Sequence, residues 1–388
     1  MANVAQYEYF IPKVDIQAIG SGGGSLAVVD RLTKTLRVGP ESAGANPGPA
    51  CYGKGNTTPT VTDADLVLGY IDPNNFLGGK IVLDKDKSVA AVQAVADQLG
   101  LGLYETAAGI AKIAEFKMAD IIRKTTVEKG LDPRDFSLFA FGGAGPVHAG
   151  IFARELGAQK VLVPLNRVAS TWCAFGAATA SLLHIHERVE IISSPFDLKV
   201  VNTVLADLYK LASQQMRADG IPVSGQQFQF SVDMRHRGQI NEVEVPLSDT
   251  PSKVGMKLTD KDLENLIEKF YKRYEAIYGK GSSYRDSRLE MVTFRLRAMG
   301  ASRTVTLPKS KRATTAIKEA AKTAKRKVYW TDLGKQVVTQ VYNGELLVFG
   351  NTLTGPAIVE TSHTTIVVHP QQKLIVDAYG NFELKLGR

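Results

Sequence analysis

The sequence predicts an α/β protein. Its alternating strand–helix part ends near residue 187, followed by an α+β segment and then a β-rich C-terminal unit. Three observations carry this reading. Strand, helix, strand and helix succeed one another between Phe136 and Leu183. Two glycine clusters, Gly20–Ser25 and Gly142–Gly145, follow strand-like segments. Residues 328–386 break into short apolar stretches separated by Gly, Asn and Asp turns.

The elements follow from local pattern. Tyr7–Ile11, Val14–Ile19 and Ser25–Val29 read as strands, the last two separated by the first glycine loop. Residues 37–63 are rich in Pro and Gly, which disfavours regular structure and suits a long, specific loop lining a site. Residues 87–99 and 104–129 carry apolar side chains at helical spacing, and Gly130 is a natural stop. Phe136–Phe141 is a predicted strand. Pro146 opens a helix to about Leu156, because its missing N–H costs nothing in a first turn. Lys160–Val163 is a strand, and the small-residue stretch Ser170–Leu183 a buried helix.

Beyond His184 the character changes. Glu187–Ile192 begins a strand, 197–218 is a helix, and Gln227–Val232 is expected to pair with Glu242–Val245. Leu263, Leu266, Ile267, Phe270 and Tyr274 form the apolar stripe of a helix over 259–278. Arg288–Arg297 alternates as a strand. Five further strands follow: Val337–Tyr342, Pro356–Glu360, Thr364–His369, Lys373–Asp377 and Phe382–Leu386. The predicted organisation is therefore 1–187, 188–302, a basic segment 303–327 and 328–388.

The chain has 388 residues, enough for two or three domains, and 44% hydrophobic with 22% charged residues is an ordinary globular balance. No apolar run is long enough to span a bilayer, and Met1–Gln6 does not read as a signal peptide. Only Cys51 and Cys173 are present, far apart, which suits a reducing cytoplasm and opposes a thiolate metal site. The net charge is +8. Nine Lys or Arg against the single acid Glu319 between Arg303 and Lys327 account for all of it. With no aromatics interleaved, that segment reads as a solvated linker or docking surface, and nucleic acid is not an expected partner.

Several groups could carry chemistry. Gly142, Gly143, Ala144 and Gly145 end a strand and open a helix, where free N–H groups and the helix dipole favour an anion. The pattern is neither a dinucleotide fingerprint nor a Walker loop. His148, in the first turn, either lines a pocket or is a capping or core histidine. Asp63 and Asp65, two apart, either face a site or serve locally, Asp65 as the cap of a helix from about Leu66. Glu41 and Asp63 could hold Mg²⁺ or simply bind loop N–H groups. Cys51 is the one thiol worth testing, and His184 and His186 suggest a surface or interface pair. No HExxH, Cys/His cluster or GxSxG elbow occurs.

These residues resemble the hydantoinase A/oxoprolinase family, which includes the larger subunits of ATP-dependent acetone and acetophenone carboxylases. The matching stretches are Val14–Ile16, Ile19–Ser25, Arg37–Gly53, Pro59–Asp65 and Phe141–Pro146, with weaker likeness at Asp233–Gln239, Tyr278–Gly279 and Val376–Asn381. The resemblance implies the C-terminal half of an actin/hexokinase-like (ASKHA) nucleotide-binding fold. It implies ATP and Mg²⁺ as cofactors, with any further divalent metal in a partner subunit. By it, Gly142, Gly143, Ala144 and Gly145 match the adenosine-side motif. Gly20, Gly22, Gly23, Gly24 and Ser25 would line the phosphates or substrate. Asp63, Asp65 and His148 are the catalytic candidates. Gln17 departs from the pattern, since many relatives carry Arg or His there.

The family's N-terminal domain, with its Asp-x-Gly-Gly-Thr loop, has no counterpart in the chain. The expected partners are therefore subunits supplying the other half of the nucleotide site, in a cytoplasmic hetero-oligomer acting on a small carbonyl or amide. The first expectation is a subunit of an ATP-dependent ketone carboxylase using bicarbonate. The alternatives are an ATP-dependent cyclic amide hydrolase and a non-catalytic scaffold subunit.

Overall fold

The computed structural model describes residues 2–4, 7–9, 16–164, 169–300 and 306–387. In chain order the strands and helices begin with β1 (Ala2–Val4), β2 (Tyr7–Tyr9), β3 (Ser25–Val29) and β4 (Leu36–Ser42). Then come α1 (Val61–Leu68), α2 (Lys85–Leu99), α3 (Leu103–Val127), β5 (Ser137–Phe139), α4 (Gly145–Leu156), β6 (Lys160–Val163) and α5 (Trp172–Thr179). The middle of the chain forms β7 (Leu183–Ser193), α6 (Leu198–Ala218), β8 (Gln226–His236), β9 (Val243–Pro246), α7 (Asp260–Tyr278) and β10 (Leu289–Gly300). Seven strands end it: β11 (Lys322–Trp330), β12 (Lys335–Asn343), β13 (Thr352–Thr354), β14 (Ala357–Glu360), β15 (Thr365–Val368), β16 (Lys373–Val376) and β17 (Phe382–Lys385).

The chain divides into two compact units, Asp15–Gly176 with Thr306–Arg388, and Met1–Val14 with Ala177–Val305. The C-terminal strands, expected as a unit of their own, share the first of these. β17 pairs antiparallel with β6, placing Phe382 opposite Val163, and the five-stranded sheet runs β13–β16–β17–β6–β5. Short strands such as these bury their apolar faces only by joining a larger sheet. The parallel pair β5–β6 connected through α4 is a βαβ unit. Its helix buries Ala149, Phe152, Ala153 and Leu156 with Val161, Val163, Val368 and Phe382. A second, four-stranded sheet runs β11–β12–β14–β15. Side chains of α1, α2 and α3, among them Val67, Val92 and Ile110, pack with its Val328, Trp330 and Val367.

The other unit holds an antiparallel sheet ordered β7–β10–β8–β9. Val232 pairs with Val245, as the sequence predicts. Phe228, Phe230, Val232 and Met234 alternate inward along β8 and meet the stripe Val201, Val204, Leu205 and Leu208 of α6. On alternate positions lie charges: Arg295 bonds Asp233 at 3.0 Å and also pairs with Glu187.

Local departures have local causes. Ile16–Ile19 is not a strand, and Asp15 and Val14 lie outside the described residues. The Pro/Gly-rich stretch contains β4 and a 3₁₀ turn at Ala50–Tyr52. The predicted buried helix near Ser170 is shorter, and none of its residues is buried. The basic segment is no simple linker: Lys322–Lys327 belongs to β11. There Arg326 donates to the carbonyls of Gly69 and Tyr70, both at 2.8 Å, and pairs with Asp72 and Glu360.

One side chain organises the approach to α1. Thr60 is the N-cap, not Asp65, and Asp63 completes the capping box. The fully buried Asp63 accepts from Ala50 N (3.0 Å), Cys51 N (2.8 Å), Thr60 N and Oγ1 (2.8 Å each) and Ser88 Oγ (2.6 Å). Five donors on one carboxylate bind the loop, α1 and α2 together. The Asp63→Asn substitution turns an acceptor into an NH₂ group facing donors. Chemical denaturation should register a loss of about 3 kcal/mol; a loss below about 0.5 kcal/mol would contradict this role.

Candidate active site

The two glycine clusters meet at one cavity of about 240 Å³ in the first unit. Gly23 and Gly24 form one wall and Gly143 and Ala144 another; Thr62 and Asp65 of α1 lie between them. Gly23 is needed for close approach, because a Cβ there would sit 2.6 Å from Thr62 Oγ1. Thr62 in turn donates its N–H and its hydroxyl to the Gly23 carbonyl, both at 2.9 Å. Gly142 has φ +84°, a backbone conformation open chiefly to glycine, and turns the chain from β5 toward α4. The N-cap Ala144 has no side-chain acceptor; Pro146 has no N–H and Val147 N donates to the Ala144 carbonyl at 3.0 Å, so Gly145 is the first-turn residue whose N–H is left uncapped.

Not every candidate reaches the cavity. Ser25 closes its own turn, its hydroxyl accepting from Gly22 N at 3.0 Å and donating to Gly20 O at 3.3 Å. Gly20, Gly22, Ser25, Gly142 and Gly145 are therefore framework to the lining residues, and Asp63 is the loop anchor described above. Glu41 is exposed and pairs with Arg37 at 3.3 Å. Cys51 is buried, and burial followed by the charge of Asp63 pushes its thiol up, away from the reactive thiolate. His184, in the other unit, pairs with Asp219.

Asp65 and His148 do come together. Asp65 is 1% exposed; its Oδ2 lies 3.3 Å from His148 Nε2, while its buried Oδ1 has no hydrogen-bond partner. The Nε2 contact has ion-pair distance without hydrogen-bond alignment. On the far side, His148 Nδ1 lies 3.2 Å from Oε1 of Glu115, a residue of α3 that the sequence reading passed over. Three helices thus each contribute one charged group to a buried row. Burial alone would lower the pKa of His148, but the close Asp65 carboxylate and the charge and hydrogen bond of Glu115 outweigh it and raise it to about 10.

C-terminal residues complete the cavity. Thr364 donates to the Gly143 carbonyl at 2.8 Å, and Glu360 accepts from Asn75 at 3.1 Å. Glu360 and Asp72 line the wall but are held by Arg326. Among the described residues no group of three or more His, Cys, Asp or Glu is arranged to hold a metal ion, so this donor set does not fit a resident Mg²⁺. The lining includes no lysine or arginine to meet a triphosphate. Its volume lies below the roughly 300–1,000 Å³ of pockets that enclose drug-sized ligands. The backbone of Gly143 and Ala144 and the free oxygen of Asp65 suit a small substrate or one portion of a nucleotide. Among the described residues no helix is long and apolar enough to cross a membrane.

The raised pKa of His148 carries a sign. A group protonated more tightly when folded contributes stability that is complete below its unfolded value and fades as pH rises through the folded one. Unfolding free energy should fall between pH 6.5 and about 10. Denaturation across that range should give a shallower decline for His148→Gln, and equal slopes would exclude the buried imidazolium.

Comparison with known proteins is consistent with this architecture. Residues 1–186 match the hydantoinase/oxoprolinase model and 196–386 the hydantoinase/oxoprolinase C-terminal domain. The acetophenone carboxylase gamma subunit of Aromatoleum aromaticum is 36% identical over 94% of this chain and 50% of its own length. Caprolactamase subunit alpha of Pseudomonas jessenii is 33% identical over 98% of this chain and 54% of its own. The nucleotide-free structure of an acetone carboxylase superposes with a TM-score of 0.82 at 29% identity, over 94% of this chain and 52% of the other. ATP-dependent caprolactamase gives 0.79 at 32%, over 97% and 54%. The chain spans about half the length of the relatives it matches. With both domain models matched in order and a mixed α/β fold shared with these structures, the chain belongs to the hydantoinase/oxoprolinase family.

Proposed function

We propose that this chain forms one wall of an ATP-dependent active site in a multi-subunit enzyme that carboxylates a small ketone with bicarbonate. The carrying observation is that Gly23, Gly143, Ala144 and Asp65 line one cavity, and that Asp65 keeps a buried oxygen with no hydrogen-bond partner. In this reading the first unit belongs to an actin/hexokinase-like nucleotide fold. A partner supplies the other half, including the cations for the phosphates that this lining lacks. ATP would provide activation by phosphoryl transfer; Mg²⁺ would arrive with the nucleotide, and no step here depends on it.

The residues suggest a division of labour. The Asp65 carboxylate, beside His148, is a base that takes the proton from the carbon next to the ketone carbonyl: the C–H bond breaks and an O–H bond forms. The first turn of α4 stabilises the negative charge that develops on the carbonyl oxygen. The same base could activate water against a cyclic amide, which keeps the hydrolase reading alive beside the caprolactamase likeness. Bicarbonate dependence separates the two.

The test begins with native co-purification, followed by ATP turnover in the assembled complex with and without bicarbonate. Turnover that needs both ketone and bicarbonate is expected; turnover with a lactam and no bicarbonate would replace this reading with the hydrolase. A Cβ at Gly143 would meet nothing within 4 Å. Gly143→Ala should therefore fold with stability changed by less than about 1 kcal/mol while weakening substrate or nucleotide at least about tenfold, near 1.4 kcal/mol. Unchanged kinetics in that variant would point to a scaffold subunit.

A further inference from the structure

We infer that Glu115 is a positioning residue for the Asp65 base: it fixes the His148 ring through Nδ1, so that Asp65, a residue of the cavity wall, keeps one oxygen unpaired. This inference rests on the reading of Asp65 as the base.

The geometry is a row of three buried groups on three helices. Asp65 of α1 is 3.3 Å from Nε2 of His148, and Glu115 of α3 is 3.2 Å from Nδ1. His148 is fully buried and Glu115 is 5% exposed. A neutral imidazole has one N–H and one lone pair. Placed between two carboxylates, it would turn that lone pair toward one of them. With its N–H kept on Glu115, the lone pair would face Asp65 Oδ2. Two acceptors would then face each other, an unfavourable contact that would displace the Asp65 carboxylate. Only the doubly protonated ring turns an N–H toward each carboxylate, hydrogen-bonded to Glu115 and at ion-pair distance from Asp65.

The surroundings leave that state in place. Glu115 also lines a second cavity of about 230 Å³, on whose wall Lys112 and Arg154 lie. Glu155 lies on the same wall, and Arg154 is paired with Asp332 at 2.8 Å, so these charges balance one another and the row's own geometry decides its state. Asp332 lines that cavity as well, but His369 and Arg154 hold its carboxyl down as a committed anion. Glu155 is engaged by Arg123 at 3.6 Å, and Tyr70 is a further titratable neighbour. Burial, then the charges of Glu115 and Asp65, push its hydroxyl up, so it stays neutral. Nothing else on these walls competes with Glu115 for the Nδ1 proton among the described contacts.

Two readouts test the inference, one independent of activity. In the full chain labelled with ¹⁵N at histidine, the His148 ring, assigned by its loss in His148→Gln, should remain imidazolium well above pH 8. In Glu115→Gln, whose amide oxygen still accepts from Nδ1 without the charge, its titration should fall by at least about one pH unit. The alkaline limb of kcat/KM in the assembled complex should fall by a similar amount, and Glu115→Asp should restore most of it. A Glu115→Gln protein that folds, with both ring titration and limb unmoved, overturns the inference. If that variant does not fold, the wild-type ring decides: titration near pH 6.5, the ordinary value for histidine, also overturns it. A complex without bicarbonate-dependent turnover would remove the carboxylase reading, while the ring titration would still decide the role of Glu115.

Discussion

The buried carboxylate of Asp63 is the constraint on which the site depends. An isolated buried charge would cost several kcal/mol, and it is tolerated because five donors surround it. Those donors come from the Pro/Gly loop, from the cap of α1 and from α2. Satisfying them fixes where α1 begins. Two residues later Asp65 lies on the cavity wall, and one residue earlier Thr62 grips the Gly23 carbonyl. A loop that looks irregular in sequence is thus as tightly specified as a strand, through hydrogen bonds to one side chain in place of a ladder.

The buried row Asp65–His148–Glu115 adds a second kind of specification. Hydrophobic stripes on α1, α3 and α4 can slide with small loss, since apolar contacts are not directional. Two carboxylates facing one imidazole cannot. Residues such as Ala107, Ala111, Ala114 and Ala149 let these helices approach closely, and the charged row then sets their register. The unit containing α6 and α7 uses the opposite arrangement. Its apolar residues face the helices, while Arg295 and Asp233 pair across neighbouring strands at largely buried positions.

Legibility in the sequence followed the range of the interaction. α2, α3, α6 and α7 were readable because their stripes repeat within the element, and β3 and β6 because short apolar runs are bounded by turns. The glycine segments were legible as a candidate site because Gly and Ala offer backbone and little else. Glu115 was missed, although a charge amid Ile110, Ala111, Ala114 and Ala119 on one helix face was a usable signal. Asp65 was equally consistent with a cap, since only the geometry of Thr60 tells the two apart. Arg326 was hidden by its basic neighbours: charge counting cannot separate the one arginine that clamps Gly69, Tyr70, Asp72 and Glu360 from lysines left in solvent.

The cavity is closed by contacts that are very remote along the chain. Thr364 reaches back 221 residues to Gly143, Arg326 reaches 257 to Gly69, and Glu360 meets Asn75 across 285. Loops of that length close slowly, because their entropy is lost before the contact repays it. During synthesis the glycine walls and Asp65 would therefore emerge well before the residues that enclose them. Most of the other unit, Ala177–Val305, emerges between them and has time to fold in the meantime. Premature termination anywhere ahead of residue 360 would leave an open, half-lined groove, so a functional pocket is a property of the finished polypeptide.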